Sequence, residues 1–248
     1  MRIGIDVGGT NTDAVLMDGL EVVAWHKTPT TPDVGGGIVA ALESVLDQSA
    51  VARADIGSVM IGTTHFTNAV VERKRLLPVA AVRLGLPATR ALPPMVDWPD
   101  DLSAALGRHR YLVHGGHEFD GREIAPLDES GLRDAARDMR AKGLRVAAIT
   151  SVFSPVNGAM ERRAAEIIAS EVDGVGISLS HEIGRVGLLE RESATIMNAC
   201  LTELASAVVQ SFRDALVRLG IEAPFFVSQN DGTLMSANYV EKYPVLTF

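Results

Sequence analysis

Six residues into the chain an apolar run meets a carboxylate and then a cluster of small polar residues, Asp6-Val7-Gly8-Gly9-Thr10-Asn11-Thr12-Asp13, before resuming as Ala14-Val15-Leu16-Met17. Residues 2–7 read as a buried strand and residues 12–17 as its antiparallel neighbour. Gly8 and Gly9 suit a tight connection with positive φ angles. Asp18-Gly19 is a second turn signal, and residues 21–27 supply a third strand. A chain that begins as a three-stranded meander cannot be a Rossmann unit, which needs a helix straight after its glycines. Nor is it a P-loop protein, because no G-x-x-x-x-G-K-[ST] occurs anywhere.

The same stretch carries chemistry. Paired glycines let the backbone approach a ligand and turn its N–H groups inward. Thr10, Asn11 and Thr12 add short polar side chains, and Asp6 at the strand end can hold magnesium through water. The plainer alternative is an ordinary Gly-rich hairpin with polar turn residues. The strands on both sides favour a phosphate-and-metal constellation.

Further along, Thr31-Pro32-Asp33 reads as a helix entry, followed by Ile38, Val39, Ala41, Leu42, Val45 and Leu46 at helical spacing. Residues 58–61 form a strand running into Gly62-Thr63-Thr64, then a helix to residue 74 and a strand over 78–84. That strand–helix–strand unit points to an α/β fold. Pro87, Pro93, Pro94 and Pro99 make residues 85–106 irregular, and residues 111–125 read as turns between short strands. An amphipathic helix over 128–142, capped by Asp128 or Ser130, precedes a strand over 144–152. A helix over 157–172 and a strand over 176–180 complete a second α/β unit. Residues 190–219 form the longest helix, 224–229 a strand, and 243–248 a final apolar segment that reads as a strand cut short. The expected organisation is residues 1–84, an inserted unit over 85–180, and a return over 181–248 that looks truncated.

Composition excludes several functions. A net charge of −8 without a basic tract, and 5% aromatic residues, argue against nucleic-acid binding. No run of 18 apolar residues and no apolar leader occurs, so no membrane span or secretory signal is expected. A single cysteine, Cys200, rules out an intramolecular disulfide and fits a cytoplasmic setting. It lies on the apolar face of the long helix and reads as an inert thiol.

IDVGGTNTDAVLMD resembles the first phosphate loop of the actin-like, sugar-kinase and heat-shock ATPases, which share a ribonuclease-H-like fold. The run from Gly62-Thr63-Thr64 through Thr67-Asn68-Ala69 to Glu72-Arg73-Lys74 is similar to the GTT-x-x-TNA-x-x-E-R-K stretch of the hydantoinase/oxoprolinase family. Ser180-His181-Glu182-Ile183, Glu190-Arg191-Glu192-Ser193, Asn198-Ala199 and Asn230-Asp231-Gly232 resemble later motifs of that family, in its order. His65-Phe66, Asn230 and Thr233 depart from its usual residues.

The resemblance implies an ATP-dependent hydrolase, with Mg2+, that phosphorylates the oxygen of a cyclic amide. Asp6 would organise the metal. Gly8, Gly9, Thr10, Asn11 and Thr12 would cradle the phosphates, and Asp13 would orient the loop or help to place the nucleophile. Thr63, Thr64, His65, Asn68, His181, Glu182, Asn230 and Asp231 would lie near substrate or phosphate. Thr63 and Thr64 sit where a strand meets a helix, a place that suits either an anion or plain N-capping. No second phosphate loop follows, so the resemblance is to an N-terminal portion, cut or naturally split. The rival outside enzymes is a non-catalytic module that needs a partner chain for that loop, and the expected assemblies are a homo-oligomer or a complex with a partner subunit. A sugar-type kinase is the rival within enzymes, although it would lack the GTT-x-x-TNA run. His114 and His117 read as polar turn residues rather than metal ligands.

Overall fold

In β1 (Arg2–Val7) every second residue is buried, Ile3, Ile5 and Val7, and Gly4 and Asp6 take the other face. β2 (Asn11–Asp18) runs antiparallel in a register that sets Asp6 opposite Asp13. β3 (Glu21–Pro29) follows antiparallel to β2, with one irregularity between Leu16 and Met17. The expected meander is therefore present. The computed structural model describes residues 1–30, 34–229 and 231–248. The expected helix entry at Thr31-Pro32-Asp33, and Asn230, lie outside those residues.

α1 (Val34–Ser49) packs on β2 and β3 and buries Ile38, Leu42, Val45 and Leu46, an i, i+4, i+7, i+8 stripe. β4 (Ser58–Thr63) pairs parallel to β1, with Gly62 opposite Asp6, and α2 (His65–Glu72) follows at once. Next come β5 (Val79–Leu86), α3 (Asp100–Ala105), β6 (His109–His114), α4 (Glu129–Ala141), β7 (Val146–Ser151), α5 (Ala159–Glu171), β8 (Gly176–Leu179) and α6 (Ser180–Ile183). α7 (Leu188–Arg218), β9 (Phe225–Ser228), β10 (Leu234–Ser236), α8 (Ala237–Lys242) and a 3-10 turn over Pro244–Thr247 close the chain.

Contacts divide these elements into two units, Met1–Glu72 with Glu203–Phe248, and Arg73–Thr202. The divisions fall at residues 72/73 and 202/203, where the sequence placed them at 84/85 and 180/181. The first unit holds a six-stranded mixed sheet in the order β10-β9-β4-β1-β2-β3. One face is covered by α1 and by the last part of α7, where Phe212 lies 6.1 Å from Phe225, ring centre to ring centre. The α/β, ribonuclease-H-like expectation holds.

The second unit holds a parallel sheet in the order β6-β5-β7-β8. β5 and β7 are buried nearly throughout, as strands covered on both faces are. Leu132, Ala136 and Met139 of α4 pack with Ala164, Ile167 and Ile168 of α5 on one face. The other face receives the first part of α7, where Asn198 Nδ2 donates to Ser178 Oγ at 3.0 Å. Of the two expected caps it is Asp128, not Ser130, that caps α4, accepting from the Gly131 N–H at 2.9 Å.

Three expectations are corrected. β5 does not continue the β4–α2 unit; it pairs with β6 and β7 in the second sheet. The proline-rich stretch contains α3, whose residues are too few to show a helical period. The final apolar segment is a 3-10 turn starting at Pro244, whose ring removes a ladder donor and suits a helical first turn. Among the described residues no helix is long and apolar enough to cross a membrane.

Candidate functional site

The strand alternation that buries Ile3, Ile5 and Val7 aims Asp6 at the uncovered face of the first sheet. Register aligns a row across that face, Lys27, Asp13, Asp6 and Gly62, with Ser228 beside Gly62. Lys27 Nζ lies 3.0 Å from Asp13 Oδ1. A Cβ on Gly62 would stand 3.1 Å from Asp6 Oδ1 and 3.6 Å from Ser228 Oγ. The absent side chain at residue 62 therefore leaves room for the Asp6 carboxylate. A second row, Trp25, Val15, Gly4 and Met60, is apolar. Apart from Lys27, the two rows line a groove of about 560 Å³ with Asp6, Asp13 and Ser228 at its polar side.

The hairpin tip closes through the Gly8 N–H donating to the Asn11 carbonyl at 3.0 Å, with Gly9 and Thr10 as the loop. Neither Gly8 nor Gly9 has a left-handed φ, which corrects the sequence expectation. Close approach explains Gly8 instead, since a Cβ there would meet the Asn11 carbonyl oxygen at 3.1 Å. Thr12 turns into the core, 1% exposed, and its hydroxyl pairs with Thr30 Oγ1 at 3.1 Å. Thr30 also donates to the Gly8 carbonyl at 2.8 Å and braces the loop from below. Thr10 is exposed and Asn11 half-buried.

The β4–α2 junction lies against this tip. The Thr64 N–H donates to the Val7 carbonyl at 3.4 Å, and a Cβ on Gly9 would lie 3.5 Å from Asn68 Nδ2. Asn68 Nδ2 donates to Thr64 Oγ1 at 3.3 Å. Thr63 Oγ1 accepts from the His65 N–H at 3.2 Å and lies 2.6 Å from His65 Nδ1. Gly8, Gly9, Thr10, Asn11, Thr64 and Asn68 thus form one polar patch beside the Asp6 row. Asp231 is exposed and bonded within its own turn, accepting from the Thr233 N–H and hydroxyl at 2.9 and 2.7 Å, which hold its carboxyl below the usual range.

Magnesium keeps most of its waters and needs one or two carboxylates beside phosphate oxygens. The exposed Asp6 carboxylate, with clearance over Gly62, fits that requirement. Among the described residues no group of three or more His, Cys, Asp or Glu could form a metal cage. His114 is exposed at the end of β6, whereas His117 is buried with Nε2 3.2 Å from Asn157 Nδ2.

His181 and Glu182 belong to the second unit, at the carboxyl end of β8. Glu182 is exposed. His181 Nδ1 lies 2.6 Å from the fully buried Glu161 carboxylate. Sequence reading passed over Glu161, which looks like any acidic residue in the first turn of a helix. It also passed over Arg83, buried in β5 and paired with Glu192 of α7. A lone arginine inside the apolar run Val79-Ala80-Ala81-Val82-Arg83-Leu84 is a signal that could have found it.

Residues 2–172 match the family model described as the hydantoinase/oxoprolinase N-terminal region, and residues 191–248 match the model described as hydantoinase/oxoprolinase. An uncharacterised protein of Methanocaldococcus jannaschii is 29% identical, over 98% of this chain and 37% of its own length. The caprolactamase alpha subunit of Pseudomonas jessenii is 27% identical, over 94% of this chain and 36% of its own. The crystal structure of the ATP-dependent caprolactamase from that organism superposes with a TM-score of 0.82 at 26% identity, over 99% of this chain and 39% of that one. A nucleotide-free acetone carboxylase shows the same fold, with a TM-score of 0.79 at 23% identity, over 99% of this chain and 38% of that one. The chain therefore spans less than two-fifths of the length of the relatives it matches.

Proposed function

The chain belongs to the hydantoinase/oxoprolinase family, and from that premise we propose that it is the N-terminal part of an ATP-dependent hydrolase acting on a cyclic amide of the hydantoin or 5-oxoproline kind. ATP bound with Mg2+ would supply a phosphoryl group to the amide oxygen. Water would then add to the activated carbon, the ring C–N bond would break with the nitrogen leaving as the protonated amine, and hydrolysis of the acyl phosphate so formed would release phosphate. The placement of Asp6 carries the reading. Its carboxylate stands over the bare backbone of Gly62, in the row next to a hairpin tip and a strand–helix junction that carry Thr10, Asn11, Thr64 and Asn68. Asp6 would hold the metal, and the tip would position the phosphates through backbone N–H groups of residues 9–11, the Gly8 N–H being spent on the Asn11 carbonyl. Asn68 braces the tip, and Lys27 fixes the Asp13 carboxylate in the same row. Thr12 acts from beneath, through Thr30, as a support of the loop.

The share of the relatives' length that the chain spans favours a second reading, in which the chain is a module without activity until further polypeptide supplies the facing phosphate loop. Titration of the full chain with Mg-ATP by calorimetry tests both. Under the first reading Asp6→Asn weakens Mg-ATP binding by about tenfold or more, the equivalent of one charge-assisted contact. Gly62→Val, which crowds the carboxylate, has the same effect. Mg-ATP binding that ignores both substitutions rules out the assigned site. No binding at all by the full chain leaves the module reading. Phosphate release that depends on hydantoin, caprolactam or 5-oxoproline identifies the hydrolase, and transfer to a sugar identifies a kinase.

A further inference from the structure

The second unit carries a polar cluster that the phosphate-loop reading does not use. Glu161 of α5 is fully buried at the carboxyl ends of β7 and β8. Its carboxylate accepts from the Ser151 N–H at 2.7 Å, the Ser180 hydroxyl at 2.5 Å, the His181 N–H at 3.0 Å and His181 Nδ1 at 2.6 Å. Arg191 of α7 holds the same two serines from the other side, donating to Ser180 Oγ at 2.9 Å and to the Ser151 carbonyl at 2.6 Å. The carboxylate can only accept, so Nδ1 is the donor to Glu161, and Nε2, which stands beside a guanidinium that can only donate, is the acceptor of the ring and presents a lone pair.

That lone pair faces a cation. His181 Nε2 lies 3.3 Å from Nη1 of Arg162, an exposed residue one position after Glu161. Both side chains converge on bare backbone, since a Cβ on Gly158 would stand 2.8 Å from His181 Cδ2 and 2.9 Å from Arg162 Nη1. The charged groups packed against the ring are Glu161 and Arg162 of α5, with Arg191 of α7 acting through Ser180. The ring keeps some exposure, 16% of its side-chain surface, so an outside group can reach it. The carboxyl ends of parallel strands are where open α/β sheets receive their ligands.

We propose that His181 and Arg162 form a binding site for a small oxyanion, a carboxylate or phosphate, with Glu161 as the positioning residue that holds the ring. On binding, Nε2 takes one proton from solvent or from the acid form of the ligand. The imidazolium and the guanidinium then both donate to the anion, and Glu161 balances the new ring charge. The site stands independently of the Mg-ATP assignment, because every residue in it belongs to the second unit.

Ring-nitrogen NMR of the full chain, titrated separately with inorganic phosphate and with acetate, tests the proposal against sodium chloride at equal ionic strength. The expected result is a bare Nε2 in chloride that becomes protonated as anion is added. Response to one anion alone identifies its source as phosphate or carboxylate. Arg162→Ala, a substitution of an exposed side chain, is expected to lose tenfold or more in anion affinity. Gly158→Ala, which pushes the ring aside, is expected to do the same. The proposal is overturned if neither anion moves Nε2 by about 10 mM, where a millimolar site is full. It is also overturned if chloride reproduces the shift, or if Arg162→Ala leaves it unchanged.

Discussion

Replacing Arg83 with methionine tests how the second unit is held together. The Arg83 guanidinium is wholly buried and meets Glu192, itself 4% exposed, through two parallel contacts, Nε to Oε1 at 2.7 Å and Nη2 to Oε2. Its third nitrogen, Nη1, donates to the Leu92 carbonyl in the proline-rich stretch. Arg83→Met keeps most of the volume but leaves the Glu192 carboxylate buried without its cation. Breaking such a pair from one side costs about 3–5 kcal/mol. Losing the Nη1 donor to the Leu92 carbonyl adds about 1 kcal/mol. For a chain of this size each kcal/mol moves the unfolding midpoint by about 2–4 °C, so a fall of roughly 8–24 °C is expected. Urea unfolding followed by hydrogen exchange at β5 reads the second unit directly. The double variant Arg83→Met with Glu192→Leu is expected to recover most of the loss, because it leaves no stranded charge. A single-variant cost under about 1 kcal/mol, or a double variant as unstable as the single, would refute the reasoning.

Burial works to raise the Glu161 pKa, but hydrogen bonds from His181 and Ser180 outweigh it and hold the carboxyl below its ordinary 4.5. The folded state therefore releases this proton more readily than the unfolded state. The resulting stability is complete above about pH 4.5 and is lost as pH falls through the depressed folded value. Urea midpoints between pH 7 and 3 should drop less steeply for Glu161→Gln than for the parent chain, and parallel slopes would contradict the assignment. Cys200 is fully buried and its thiol is pushed up to about 12 by desolvation. It should be silent to a disulfide reagent in the native chain and react fully in denaturant; equal rates in both would show that the helix face is open.

Local chemistry was easier to read than partnership. The meander was legible because alternation in residues 2–7 and 12–17 and the turn at Asp18-Gly19 act over a few residues. The Asp128 cap was legible for the same reason. The strand character of β5 was visible in its apolar run, but its sheet was not, because pairing with β6 and β7 is decided by elements much later in the chain. Arg83 is 109 residues from Glu192, and no local pattern ties them. The polar residues of the hairpin tip were legible as a set, yet not the direction each one takes. Thr12 turns inward because strand parity places it with Ala14 and Leu16, whereas Asp13 shares the open face with Val15.

That parity sets which sequence changes the chain can absorb. Ile3, Ile5 and Val7 act as a ruler for Asp6, since the core accepts the strand in only one phase. Exchanges among aliphatic residues at those three positions leave the carboxylate where it is. One residue inserted or deleted between Ile3 and Asp6 forces a choice, because keeping the core in phase carries the carboxylate to the wrong side of the sheet. Length is therefore under tighter control than identity in this strand.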